Sequence, residues 1–317
     1  MGKVSTVTAA ALSTVLLVLT GCSGGDGGDG RGKEPGVTTK ALPAADDVRE
    51  VEPWGPPGSE HRNITAGGLK RDYIVSTPAG ARQRDRLPVI FVFHGYKEDA
   101  EKIRKNSGLD AADAIVAYLD GEDSAWAPAP YASTSGQQDL AFVDAVLAEL
   151  EGEFSVDHSR IFAAGFSNGG GFAAFVGCQR PQAFTGIATV AGAYYQRVSA
   201  GCSRIPMMHV DFHGTGDYVI AYNGGQRHAT AYNSVEEMLH ESASRNHCDA
   251  RHEGIEVAPG VIREAWTGCD AELAHYRIEN GPHVWPGGAG DSSGTVPKGF
   301  ATDAMLKFFR LGRATQQ

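Results

Sequence analysis

The sequence predicts an α/β fold, with a mostly parallel β-sheet, helices on both faces and a single domain. Two observations carry this. Apolar runs rich in Val, Ile and Phe, such as Val89-Ile90-Phe91-Val92-Phe93, lack polar alternation and read as strands covered on both faces. Between such runs, apolar residues recur at helical spacing, as in Leu140, Val143, Leu147 and Leu150, with Gly152 as a stop. Strands alternating with helices imply parallel pairing through helical crossovers.

The chain before this domain has a different character. Lys3 precedes an apolar run from Val7 to Leu19, which is shorter than the roughly 20 residues that span a bilayer. Leu19-Thr20-Gly21-Cys22 follows, and these residues resemble the lipobox of bacterial lipoproteins. On that reading residues 1–21 are a signal peptide and Cys22 is the lipidated, membrane-anchoring N-terminus. An ordinary signal peptide with an incidental cysteine is the alternative. Residues 22–60 are dominated by Gly, Asp, Pro and Ser and read as a flexible tether, because they cannot bury enough apolar surface to offset chain entropy. The folded domain is expected over residues 61–312, with a short tail at 313–317.

The elements are expected in this order. Arg71 to Ser76 is a strand ended by Pro78, followed by strands at Val89 to Phe93 and Ile115 to Leu119. The helix through Leu140 to Leu150 leads, by way of Asp157-His158-Ser159, to a strand starting at Ile161. Gly186 to Val190, Met207 to Phe212 and Leu273 to Ile278 are the remaining strands. Ala304, Met305, Phe308 and Phe309 mark a C-terminal helix. Of 317 residues, 42% are hydrophobic and 21% charged, an ordinary globular balance. The net charge of -10 argues against a nucleic-acid partner and against electrostatic binding to anionic membranes. Apart from Cys22 the cysteines are Cys178, Cys202, Cys248 and Cys269, an even set as expected of an exported chain. Four cysteines allow three connectivities, and pairing neighbours closes the two shortest loops. None forms a close C-x-x-C pair, which argues against structural zinc.

Parallel sheets place their sites at the carboxyl ends of their strands, so polar residues just past the apolar runs are the candidates. Gly165-Phe166-Ser167-Asn168-Gly169 has the G-x-S-x-G spacing of a nucleophile elbow, in which a serine sits on a sharp strand-to-helix turn. No Lys-Ser or Lys-Thr follows the glycines, so a phosphate-binding loop does not fit. His94-Gly95-Tyr96 follows an earlier strand; with Asn168 it would supply two backbone N–H groups of an oxyanion hole, from Tyr96 and Asn168. His94 reads as a histidine bracing that loop at the edge of a substrate pocket. His213-Gly214-Thr215-Gly216-Asp217 follows another strand and offers Asp217 as a carboxylate. Asp211 is the rival, but it lies inside the apolar run. Past the last strand, Gly281-Pro282-His283 offers His283 as the base. The order Ser167, Asp217, His283 is that of α/β-hydrolases and differs from the chymotrypsin and subtilisin orders.

These pieces, together with Cys178-Gln179-Arg180-Pro181 and His283-Val284-Trp285-Pro286-Gly287, resemble the polyhydroxybutyrate depolymerase-like esterases and the similar family-one carbohydrate esterases, which include feruloyl and acetylxylan esterases. The likeness runs from about Arg71 to Phe309. It implies the α/β-hydrolase fold, Ser167 as nucleophile, Asp217 as acid, His283 as base, and Cys178–Cys202 and Cys248–Cys269 as disulfides. It implies no metal and no organic cofactor. Trp285 and Tyr96 either line the acyl or alcohol site or pack in the core. The expected activity is ester hydrolysis outside the cytoplasm. A serine peptidase, an acyltransferase and a non-catalytic surface binding protein are the competing readings.

Overall fold

A computed structural model describes residues 58–249 and 252–314. All of them fall in one structural unit. Cys22, the signal segment and nearly all of the expected tether lie outside the described residues.

The chain opens with a hairpin of β1 (Gly58–Ala66) and β2 (Leu69–Thr77), followed by β3 (Leu87–Phe93), α1 (Ala100–Ser107) and β4 (Ile115–Leu119). Next come α2 (Gly136–Glu153), β5 (Val156–Phe166), α3 (Asn168–Gln179), β6 (Gly186–Val190) and β7 (Met208–Gly214). A small ribbon of β8 (Gly225–Arg227) and β9 (Thr230–Tyr232) precedes α4 (Val235–Arg245). The hairpin β10 (His252–Ala258) and β11 (Val261–Trp266), then β12 (Leu273–Ile278) and α5 (Phe300–Phe308), complete the order.

Among the described residues the main sheet has ten strands, in the order β1-β2-β4-β3-β5-β6-β7-β12-β11-β10. Strands β4, β3, β5, β6, β7 and β12 run parallel, and the two outer hairpins pair antiparallel to them. The parallel register levels the carboxyl ends: Phe93 lies opposite Gly165, Phe166 opposite Val190, Val190 opposite Phe212, and Gly214 opposite Ile278. The loops after β3, β5, β7 and β12 therefore emerge along one edge.

Side chains of a strand alternate between faces, and here each face buries a separate core. Val89, Phe91 and Phe93 pack with Leu140, Val143 and Val146 of α2 and Phe172 and Val176 of α3. Ile90 and Val92 pack on the other side with Ile103 of α1 and Met305 and Leu306 of α5. The all-apolar composition of β3 follows from this double burial.

Four boundaries differ from expectation. Strand β1 begins at Gly58, so Gly58, Ser59 and Glu60 belong to the sheet rather than to the tether. Their neighbour Arg62 holds this edge by pairing with Glu60 and with Glu153 of α2. Helix α2 runs through Gly152 and stops at Phe154, and its start is a capping box between Ser135 and Gln138. Asp157-His158-Ser159 lies inside β5 rather than ahead of it. Arg313 and Ala314 still pack against the domain, through a bridge from Ala112 to Arg313 and a hydrogen bond from Ala314 N–H to the Ala111 carbonyl.

A buried ion pair ties β2 to α2. Arg71 Nη1 donates to Asp139 Oδ1 at 2.9 Å, with side chains 1% and 0% exposed. The other carboxylate oxygen accepts from Ala127 N–H and the Thr134 hydroxyl. Removing one partner strands the other charge in the interior, which typically costs about 3–5 kcal/mol. Asp139→Ala is expected to lower the unfolding free energy by about that amount in urea titration; a change below about 1 kcal/mol would contradict this role.

Candidate active site

Ser167 follows the last residue of β5 and precedes the first of α3, with φ 54 and ψ -116, a conformation rare for a residue with a side chain. Three backbone hydrogen bonds hold it there. Its N–H donates to the Val190 carbonyl at 2.8 Å, and its carbonyl accepts from Gly171 N–H at 3.0 Å and Ala193 N–H at 2.9 Å. The flanking glycines are required by close approach. A Cβ on Gly165 would lie 2.0 Å from the Gly169 carbonyl oxygen, and one on Gly169 would lie 2.2 Å from the Phe93 carbonyl oxygen.

The loops after β7 and β12 meet backbone to backbone beside this turn. A Cβ on Gly214 would sit 1.9 Å from the Gly281 carbonyl oxygen, and Asn280 N–H donates to Thr215 Oγ1 at 2.8 Å. This contact brings Asp217 and His283 together. His283 Nε2 is 2.9 Å from Ser167 Oγ, and His283 Nδ1 is 2.6 Å from Asp217 Oδ2. Asp217 Oδ1 accepts from the N–H groups of Val219 and Ile220, each at 2.8 Å. Burial opposes the Asp217 charge, but hydrogen bonds from His213 and His283 outweigh it and hold the carboxyl far below the usual carboxylate range. His213 also donates to the Ile220 carbonyl and so braces the acid's loop.

Asp211 takes a different part. It is completely buried and accepts from Thr189 Oγ1 and the Tyr194 hydroxyl, with His275 Nδ1 2.8 Å away.

The amides of Tyr96 and Asn168 make no hydrogen bond among the described residues. Gly95 N–H is occupied by Glu98 Oε2 at 3.0 Å, and Lys97 N–H by the Ser124 carbonyl at 2.9 Å. The Tyr96 ring is half-buried, 4.0 Å from the Tyr131 ring and 5.6 Å from that of His228 on the β8–β9 turn.

Two expectations for the substrate pocket are corrected. His94 is completely buried, with Nδ1 2.7 Å from the Gly95 carbonyl and Nε2 accepting from Gly121 N–H at 2.9 Å. Both ring nitrogens are spent on holding loops, so the ring offers nothing to a substrate. Trp285 is 3% exposed, lies in the core on the α5 side, and donates from Nε1 to Thr302 Oγ1 at 3.0 Å. It anchors the His283 loop to α5 instead of lining a pocket.

Sequence reasoning credited Asn168 with a backbone role alone. Its side chain also clamps the Trp126 backbone, with Oδ1 accepting from Trp126 N–H at 2.8 Å and Nδ2 donating to the Trp126 carbonyl at 3.0 Å. Trp126 in turn donates from its ring to the His94 carbonyl. Trp126, Glu98, Tyr131 and His228 went unnoticed because no motif spacing marks them. The disulfides are Cys178–Cys202 and Cys248–Cys269, the pairing the resemblance implies. Among the described residues no group of three or more His, Cys, Asp or Glu is placed to hold a metal ion.

The sequence matches no protein-family model. Among curated proteins it is 26% identical over 250 residues to feruloyl esterase C of Emericella nidulans, covering 75% of this chain and 83% of that one. It is 28% identical over 232 residues to feruloyl esterase B of Piromyces equi, covering 68% of this chain and 42% of that one. Of solved structures, an acetyl xylan esterase from Aspergillus awamori superposes with a TM-score of 0.57 at 13% identity, covering 79% of this chain and 99% of that one. An S-formylglutathione hydrolase from Agrobacterium tumefaciens gives 0.51 at 13% identity, covering 82% and 95%. The fold is that of the α/β-hydrolases. The chain is a carboxylic ester hydrolase, similar in sequence to the feruloyl esterases and in fold to an acetyl xylan esterase.

The buried histidines give the fold a pH limit. Burial pushes His94 down to about 4 and His209 down to about 3, from about 6.5 in an unfolded chain. As pH falls from about 6.5 to about 4 the unfolded chain binds protons that the folded one does not, so stability falls across that window. The urea midpoint is expected to be lower at about pH 4.5 than at about pH 7; equal midpoints would contradict the neutral, buried histidines.

Proposed function

We propose that the protein is an extracytoplasmic serine esterase acting through Ser167, His283 and Asp217. The observation that carries this is the unbroken run from Ser167 Oγ to His283 Nε2 at 2.9 Å and from His283 Nδ1 to Asp217 Oδ2 at 2.6 Å. Ser167 Oγ bonds to the ester carbonyl carbon while His283 Nε2 takes the hydroxyl proton. Asp217 accepts from Nδ1–H, fixing the tautomer and stabilising the imidazolium. The oxyanion is held by the amides of Tyr96 and Asn168, and losing one such donor typically costs about 2.7–4 kcal/mol of barrier. As the carbonyl re-forms, the C–O bond to the alcohol breaks and His283 returns the proton to the leaving oxygen. Water, deprotonated by His283, then attacks the acyl-enzyme and releases the acid and free Ser167.

For the substrate class, the feruloyl esterase relatives and the Tyr96, Tyr131 and His228 rings beside the oxyanion loop support an aromatic acyl ester. The polyhydroxybutyrate depolymerase-like motifs favour hydroxyalkanoate oligomers as the second reading. Export is supported by the two disulfides. Anchoring through Cys22 rests on Leu19-Thr20-Gly21-Cys22 and predicts a lipid-modified Cys22 as the mature N-terminus; mass spectrometry finding any other N-terminus would sink it.

Turnover of methyl ferulate, acetylated xylan and hydroxybutyrate oligomers, measured in parallel, is expected to favour methyl ferulate. Ser167→Ala and His283→Ala are each expected to lower kcat by about 10⁶-fold and Asp217→Asn by about 10⁴-fold, as in other Ser-His-Asp hydrolases. Wild-type rates in Ser167→Ala would exclude the catalytic reading. Faster turnover of the matching amide would favour a peptidase, and product formation dependent on an added alcohol would favour an acyltransferase.

A further inference from the structure

A cavity of about 530 Å³ lies apart from the Ser167 site, between α3, α4 and the chain that leads from Tyr194 to the Cys178–Cys202 disulfide. Ser167, Asp217 and His283 do not line it. Its apolar wall is built from Ile187, Val198, Met238 and the ring of Tyr194. Arg245, in the last turn of α4 and two turns after Met238, lines it as well.

Arg245 has no counter-charge among the described residues. Among the described residues its Nε is buried with no hydrogen-bond partner, and no carboxylate forms an ion pair with its guanidinium. Burial pushes the guanidinium below the usual arginine range. Glu241, one turn earlier, also lines the cavity, yet it is exposed and forms no ion pair with Arg245. His247 is engaged with Asp270 at 2.8 Å. The remaining basic wall groups are Arg204, exposed and without an ion pair among the described residues, His240, and the buried His209, whose ring is satisfied by Thr189 and Ser242; the tyrosines Tyr194 and Tyr195 complete the titratable lining. The carbonyls at the end of α4 offset part of the Arg245 charge, but a half-buried guanidinium without hydrogen bonds remains costly.

We propose that this cavity is a second binding site, which takes a small carboxylate with an aryl or alkyl body. A planar carboxylate matches the guanidinium fork, and the apolar wall accommodates the body. A cavity of this volume lies within the usual range for small organic ligands, about 300–1,000 Å³. A doubly charged phosphate would meet one buried guanidinium beside apolar side chains, with Arg204 out in solvent, so the carboxylate is the better fit. The acid released by ester cleavage has this chemistry, and Tyr194 is joined to the catalytic turn by one residue, Ala193, whose N–H donates to the Ser167 carbonyl.

The test is calorimetric titration of 3-phenylpropionate and of octanoate into the full chain carrying Ser167→Ala, with 3-phenylpropionamide as the neutral control. Both carboxylates are expected to bind, and the amide about tenfold more weakly or not at all. Arg245→Met is expected to weaken carboxylate binding by about tenfold or more, with part restored in Arg245→Lys. Val198→Trp, which fills the cavity from its apolar wall with Arg245 intact, is expected to abolish binding and covers the case in which Arg245→Met fails to fold. Equal binding of acid and amide, unchanged affinity in Arg245→Met or Val198→Trp, or no binding up to about 10 mM would overturn the proposal. These titrations do not depend on turnover, so failure of the catalytic reading leaves their outcome untouched.

Discussion

The structure depends on one constraint: β5 must hand over to α3 within a single residue while pointing a hydroxyl at the sheet edge. Ser167 meets it with a positive φ that a side chain ordinarily avoids, at a cost of order 1–3 kcal/mol. Its backbone is bonded to the end of β6, to the first turn of α3 and to the loop after β6, so three elements hold the strained turn. The glycines at 165 and 169 let α3 lie against the ends of β5 and β3. The same packing leaves the Asn168 amide at the helix start without a partner among the described residues.

Around this turn, loop contacts do the positioning. Gly214 against Gly281 joins the carboxylate loop to the histidine loop, Trp285 fastens the latter to α5, and His213 supports Asp217 from behind. On the other side His94, Asn168 and Trp126 bind one another's backbone, and Arg71 with Asp139 holds the chain after Trp126. His94, Asn168, the Trp126 backbone and Asp139 are buried here with their polar groups paired. The two candidate carboxylates are separated by their surroundings: Asp211 is shut inside the sheet with Thr189, Tyr194 and His275, whereas Asp217 reaches the edge where His283 meets Ser167.

Much of this was legible in the sequence because it obeys periodicity and spacing. The doubly buried strands, the elbow and the chain order of Ser167, Asp217 and His283 need no tertiary information. The hairpin of β10 and β11 was illegible because Ile255, Glu256 and Val257 are all exposed, leaving no burial pattern. It exists through edge pairing with β12. The ribbon of β8 and β9 is equally short of signal, and so its His228 was missed. The bracing role read for His94 holds, and only the pocket placement of His94 and Trp285 fails, for a shared reason: a residue next to a site in sequence points toward it or away from it according to packing, which spacing does not encode. The Asn168 clamp depends on a loop 42 residues earlier in the chain.

The central claim is that Ser167 is a hydroxyl made nucleophilic by His283. Treatment with a fluorophosphonate, followed by intact-mass measurement and peptide mapping, tests it most directly. The account predicts one phosphonyl adduct per chain, on Ser167, with labelling lost in His283→Ala. An adduct on another residue, or equal labelling of the wild type and His283→Ala, would contradict it.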